Sequence, residues 1–97
     1  MTITKNQNGT AFTLAIEGRI DTTTAPELDK QIQSLDGATE LSIDFAKLEY
    51  ISSAGLRVLL AAHKAFSQKG GMTIANANEA VLEIFEVTGF KDILNIK

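Results

Sequence analysis

The sequence predicts an α/β fold with a mixed, mostly parallel sheet, an N-terminal hairpin and crossover helices mainly on one face. Two strand-like segments, residues 2–7 and 10–17, flank an Asn-Gly turn at the N-terminus. Further strand-like segments at residues 40–46 and 72–75 are separated by helical patterns, which implies parallel pairing through crossovers. Apolar and polar residues alternate along these strands, so one face of the sheet should be covered and the other more exposed.

The opening hairpin rests on Asn8-Gly9, a pair that favours the positive φ angles of a type I′ turn. After the turn, Phe12, Leu14 and Ile16 alternate with less apolar residues at the period of a half-buried strand. Gly18 then predicts a turn that leaves this strand.

The first helix is predicted from a capping box, with Thr24 as the N-cap and Glu27 three residues later. The helix carries Leu28, Ile32 and Leu35 on one face and should end at Asp36-Gly37. The following strand, residues 40–46, alternates apolar and polar side chains.

The second helix should begin after the hydroxyl residues Ser52 and Ser53 and end at Gly70-Gly71. After the strand at 72–75, Asn76 and Glu79 are predicted to cap a third amphipathic helix. Residues 90–97 are expected to add one helical turn and a short strand. Periodicity predicts a core of Phe12, Leu14, Ile16, Leu28, Ile32, Leu41, Ile43, Phe45, Leu59, Phe66, Ile74, Val81 and Phe85.

The length and composition indicate one globular domain over residues 1–97, with 44% hydrophobic and 22% charged residues. The absence of cysteine excludes disulfides and thiolate metal sites, and with one histidine we expect no metal and no cofactor. A net charge of −3 argues against direct nucleic-acid binding. Without a signal-like N-terminus or a long apolar run, we expect a cytoplasmic protein that does not insert into a membrane.

Two motifs carry a family resemblance: GRIDTTTA at residues 18–25 and YISSAGL at residues 50–56. Their pairing at this spacing resembles the STAS family of bacterial anti-sigma factor antagonists, over nearly the whole chain. The resemblance implies a non-enzymatic switch that binds an anti-sigma factor which is also a serine kinase of the GHKL type. It implies phosphorylation of Ser53 and release of that partner, with a phosphoserine phosphatase as a further partner. Ser52 stands where family members often have aspartate, so the kinase can differ.

The expected partner-binding surface surrounds Ser53. A helical wheel places Ser53 on one flank with Leu56, Arg57, Leu60 and Lys64. A serine before a helix is more often simply an N-cap, but both roles are compatible if Ser52 is the cap. Gly55 is predicted to allow a close approach of another backbone or a partner. Asp21, Ser52 and Gly55 complete the predicted partner-binding set. Asp21 can equally cap or brace its own loop.

No catalytic residues are predicted, because His63 lies about 15 Å of helical rise from Ser53 and cannot act as its base. His63 is interpreted as a structural residue. One alternative keeps the fold but changes the partner: a stand-alone STAS subunit of another signalling assembly or of a membrane transporter complex. A second alternative is a small enzyme or phosphocarrier, which the missing nucleophile–base pair disfavours.

Overall fold

The computed structural model describes residues 1–97, and its elements follow the predicted order. They are β1 (Thr2–Asn8), β2 (Ala11–Ile20), α1 (Ala25–Gln33), β3 (Glu40–Ile51), α2 (Ser53–Ser67), β4 (Met72–Ala75), α3 (Glu79–Val87) and a 3₁₀ turn at Phe90–Asp92. The terminal strand is reduced to one parallel bridge between Ile96 and Ile74.

The sheet is mixed, with the strand order β1-β2-β3-β4. β1 pairs with β2 antiparallel, whereas β2 with β3 and β3 with β4 are parallel. On β2 and β3, Leu14 and Ile43 are fully buried, while Thr13 and Ser42 on the opposite face are exposed. The predicted fold class, with helices on one face of the sheet, is therefore confirmed.

The predicted core is also confirmed, because all thirteen residues are buried. They belong to one cluster of 23 buried residues between the sheet and the helices. Phe45 of β3 and Phe85 of α3 stack within it, with ring centroids 6.5 Å apart. No helix is long and apolar enough to cross a membrane.

The hairpin turn differs in type from the prediction. Asn8 pairs with Ala11, so the two loop residues are Gly9 and Thr10. Gly9 has φ +65°, and Asn8 does not have a positive φ. A positive φ at the first loop residue alone is typical of type II′ instead of type I′.

Both central strands continue beyond the predicted ends. β2 reaches Ile20 and β3 reaches Ile51, with two register shifts between them, at Ala15/Glu17 and Gly18/Arg19. On β3 the buried residues after Phe45 are therefore three apart, at Leu48 and Ile51, so the period of two is lost. Gly18, at φ +101°, lies at one of these irregularities and not in a turn.

One predicted helix cap differs in its bonding and the other lies at a different residue. Thr24 is the N-cap residue of α1, as predicted. The Thr24 side chain makes no capping bond to α1 and instead accepts the Asp21 N–H at 2.8 Å. The α3 cap is Asn78, whose side chain accepts the Val81 N–H at 2.8 Å, because Asn76 turns away with φ +63° and donates to Asp44.

Candidate regulatory site at the start of helix α2

The two sequence motifs meet where β2 and β3 end side by side. Ile20 and Ile51 are register partners, and both are fully buried. The Ser52 N–H donates to the Ile20 carbonyl at 2.8 Å, which joins the start of α2 to the β2–α1 loop. Parallel pairing therefore brings residues 20–24 and 51–55 to one edge of the sheet.

Asp21 braces the β2–α1 loop. Its Oδ1 accepts the Thr23 hydroxyl at 2.6 Å, the Thr23 N–H at 3.0 Å and the Thr24 N–H at 3.1 Å. Its backbone carbonyl accepts the Ala25 N–H at 2.8 Å, at the start of α1. These contacts give Asp21 the loop-bracing role that the sequence left open.

The same hydrogen bonds hold the pKa of the Asp21 carboxyl below its ordinary value, the Thr23 hydroxyl contributing most and the Thr24 N–H next. Hydrogen bonds to a carboxylate favour its charged form, which is why the pKa falls.

We expect Asp21 to stabilise the fold above its unfolded pKa of about 3.9, and this stabilisation to be lost as the pH falls through the lower folded pKa. Between about pH 2 and pH 6, the melting temperatures of wild type and Asp21→Asn should differ at the upper end and become equal at the acid end, where Asp21 is protonated. A carboxyl NMR titration of Asp21 gives the folded value directly. A midpoint above that of an unstructured aspartate would contradict the prediction.

Ser52 caps α2, and Ser53 is the first residue of the helix. Ser52 has an extended backbone, and its Oγ accepts the Gly55 N–H at 3.4 Å. Its carbonyl accepts the Leu56 N–H at 2.9 Å. The N–H groups of Ser53 and Ala54 have no helical acceptor, as is usual in a first turn. Ser53 is exposed and its hydroxyl is not needed as a cap.

Gly55 and Leu56 do not belong to an exposed surface, which corrects two of the predicted partner contacts. Gly55 is buried and Leu56 is 4% exposed. A Cβ on Gly55 would lie 2.6 Å from Ile20 Cγ2 and 2.7 Å from Ile51 Cγ1. The close approach is therefore made by the chain's own isoleucines, because the first turn of α2 packs directly on the sheet edge.

The remaining members of the predicted flank are accessible. Arg57 and Lys64 are exposed. Leu60 is half-buried, yet it is not among the hydrophobic residues packed against the core, in contrast to its fully buried neighbour Leu59. Together with Ser53 they form a continuous strip along one side of α2, which we call the α2 flank (Ser53, Arg57, Leu60 and Lys64).

A further pair of side chains, Arg19 and Tyr50, lies at the same sheet edge and was not predicted from the sequence. Arg19 and Tyr50 are register partners on β2 and β3, and the Arg19 guanidinium lies 4.6 Å from the centre of the Tyr50 ring. Tyr50 is 37% exposed. The signal was available, since both residues fall within the two motifs, but alternation alone does not reveal which strand residues face each other.

His63 lies in the C-terminal half of α2 and is half-buried, and its Nδ1 is buried without a hydrogen-bond partner. It is ten residues from Ser53 on one continuous helix, so the two side chains do not meet.

A comparison with known protein families covers both motifs. The family model described as Mlab, STAS domain, matches residues 3–95. The anti-sigma-B factor antagonist of Bacillus subtilis (strain 168) is 32% identical over 92 residues, which are 93% of this chain and 84% of that protein.

Solved structures share the fold. The crystal structure of an anti-sigma factor antagonist from Mycobacterium paratuberculosis has a TM-score of 0.88 at 24% identity, covering 98% of this chain and 83% of that one. The phosphorylated form of the Bacillus cell fate determinant SpoIIAA has a TM-score of 0.76 at 13% identity, covering 99% and 91%. By its family match and its relatives, the chain belongs to the STAS domain family of the anti-sigma factor antagonists.

Proposed function

We propose that this chain works in the cytoplasm as a single-domain anti-sigma factor antagonist that is switched by phosphorylation of Ser53. Without phosphate it binds an anti-sigma factor of the GHKL kinase type through the α2 flank, Asp21 and Ser52, and the sigma factor is freed. When Ser53 is phosphorylated, the chain releases the anti-sigma factor. The observation that carries the proposal is the exposed Ser53 hydroxyl at the start of α2, with Ser52 serving as the cap.

The kinase partner supplies the chemistry. The Ser53 Oγ attacks the γ-phosphorus of ATP, an Oγ–P bond forms, the bond to the bridging oxygen breaks, and ADP leaves. A base of the kinase takes the hydroxyl proton, since His63 is out of reach on the same helix. A phosphoserine phosphatase would return the free hydroxyl by hydrolysis.

The fold should accept the phosphate without rearrangement. Phosphate at a helix N-terminus lies near free N–H groups and the positive end of the helix dipole. Ser53 is exposed, so the added charge of about −1.5 to −2 enters no apolar space of this chain. The effect of phosphorylation then falls on the interface, where the partner must face that charge.

Affinity purification from the native host, followed by phosphosite mapping, tests the proposal. We expect to recover a GHKL-type kinase with wild-type protein and to map phosphate to Ser53. Recovery of a transporter ATPase instead would decide for the transporter-subunit alternative. Phosphate on Ser52 alone would show that the other serine is the switch.

Leu60 provides a test of the α2 flank that is separate from phosphorylation. Leu60→Ala should weaken kinase binding about fivefold or more, as expected for an interface residue that costs over 1 kcal/mol when truncated. It should change the melting temperature little, because Leu60 is not part of the core cluster.

Leu59→Ala is the matched control, since Leu59 is fully buried one residue away. Cutting a core leucine to alanine typically costs about 2–5 kcal/mol. Titration calorimetry and thermal melts of both variants separate the two roles. A Leu60→Ala melting temperature as low as that of Leu59→Ala would place Leu60 in the core and remove it from the interface.

A further inference from the structure

Arg57 lies one helical turn after Ser53 on the α2 flank. A step of four residues places the two side chains roughly 40° apart around the helix, with Cβ atoms about 5–6 Å apart. Arg57 is exposed, and no carboxylate lies within 4.0 Å of its guanidinium. Its charge is therefore not neutralised within the unmodified chain.

The two charged side chains in the motifs at residues 18–25 and 50–56, Arg19 and Asp21, have other contacts. The Asp21 carboxylate on the adjoining loop accepts the hydrogen bonds of Thr23 and Thr24. The Arg19 guanidinium lies over the Tyr50 ring. The first turn of α2 contains no acidic residue, whereas α1 and α3 have Glu27 and Glu79 there. An anion at Ser53 would thus meet Arg57 without competition from a carboxylate of its own helix.

We propose that Arg57 is the internal counter-ion of phosphorylated Ser53. The proposal rests on the switch proposed above and specifies how its two states differ. An anion four residues before a cation is the favourable order along a helix, and the planar guanidinium can donate two parallel hydrogen bonds to phosphate oxygens. No backbone movement is required, because both side chains already lie on the α2 flank.

This pairing gives phosphorylation two effects on the partner-binding surface. It adds a phosphate dianion at Ser53, and it withdraws the free cation at Arg57. A partner that places an acidic or polar acceptor against Arg57 loses that contact and meets the phosphate instead. Release then follows from a change of surface charge alone.

The test uses protein with phosphoserine installed at position 53 during translation, so that neither kinase nor partner is needed. Phosphorus NMR measures the second pKa of the phosphoserine, which is about 6 without neighbours. A nearby cation favours the dianion and lowers this pKa. We expect the pKa in wild type to be about 0.3 below that in Arg57→Met, from the usual strength of such helical pairs.

Lys64→Met is the matched control, because it removes an exposed cation of the same helix about 16 Å of rise from Ser53. It should leave the phosphoserine pKa at the wild-type value, and Arg57→Lys should restore part of the shift. Phosphorylation should also raise the melting temperature more in wild type than in Arg57→Met. The same phosphoserine pKa in wild type and Arg57→Met would overturn the proposal. Failure of the proposed switch would give a different result. The phosphorylated and unphosphorylated proteins would then bind the kinase with equal affinity, even if the pKa shift were present.

Discussion

Phosphorylation of Ser53 should weaken binding to the kinase partner at least about tenfold, equivalent to about 1.4 kcal/mol, and leave the fold unchanged. The direction follows from the exposed position of Ser53 on the α2 flank. A surface that accepts a neutral hydroxyl must desolvate a dianion after modification, and this is costly unless the partner offers a cation. Titration calorimetry of phosphorylated and unphosphorylated protein against the cognate kinase measures the difference.

Point variants separate this switch from simple helix capping. Ser53→Ala should bind the kinase, resist phosphorylation and stay within about 0.5 kcal/mol of wild-type stability, because Ser52 makes the capping bond. Ser52→Ala should lose up to about 1 kcal/mol, or about 4–8 °C of melting temperature. Ser53→Asp should fold and bind more weakly, although aspartate imitates phosphoserine imperfectly. Equal affinities of the phosphorylated and unphosphorylated forms would exclude the switch.

Gly55→Ala should destabilise the protein, although alanine is normally the better helix former by about 1 kcal/mol. The added Cβ would lie 2.6 Å and 2.7 Å from side-chain atoms of Ile20 and Ile51. Both isoleucines are fully buried and branched next to the backbone, so neither can move aside easily. Overpacking of this kind costs about 1–3 kcal/mol. Because the Cβ would meet two side chains, we expect an overpacking cost near the upper end of this range. After the gain of about 1 kcal/mol in helix propensity, the net loss of stability should be about 2 kcal/mol, or about 8–16 °C of melting temperature.

Two companion variants isolate the steric cause. Ala61→Gly changes the same helix at an exposed site and should report the helix propensity alone, about 1 kcal/mol. In an Ile51→Ala background the destabilisation caused by Gly55→Ala should be smaller, because the Ile51 Cγ1 atom that the new Cβ would meet at 2.7 Å is absent. A Gly55→Ala variant that melts at or above the wild-type temperature would show that the start of α2 can shift away from the sheet edge.

The order of elements and the core could be predicted from the sequence. These features depend on local patterns, namely the alternation along β2 and β3 and the helical period of α2. The sequence also allowed the prediction that Ser52 is the N-cap of α2 and that Ser53 follows it at the start of the helix. Such patterns survive in the sequence because each needs only residues near to one another along the chain.

Other features depended on contacts between segments far apart in sequence. The period of two predicts an end of β3 at residue 46, five residues too early. Beyond Phe45 the register shifts against β2 space the buried residues three apart, so the alternation that marks a strand is lost. Leu56 lies beside the α2 flank on a helical wheel, yet it is buried because the first turn of α2 packs on the sheet edge. The pairing of Arg19 with Tyr50 follows from strand register alone.

For this protein, then, the sequence by itself determined an α/β STAS fold with an exposed serine beginning the second helix. Only the tertiary structure decided which neighbours of that serine are free to meet a partner. Arg57, Leu60 and Lys64 are accessible, while Gly55 and Leu56 are enclosed. The physical reason is that helical periodicity gives the direction of a side chain from its own axis, whereas burial depends on what another part of the chain places in that direction.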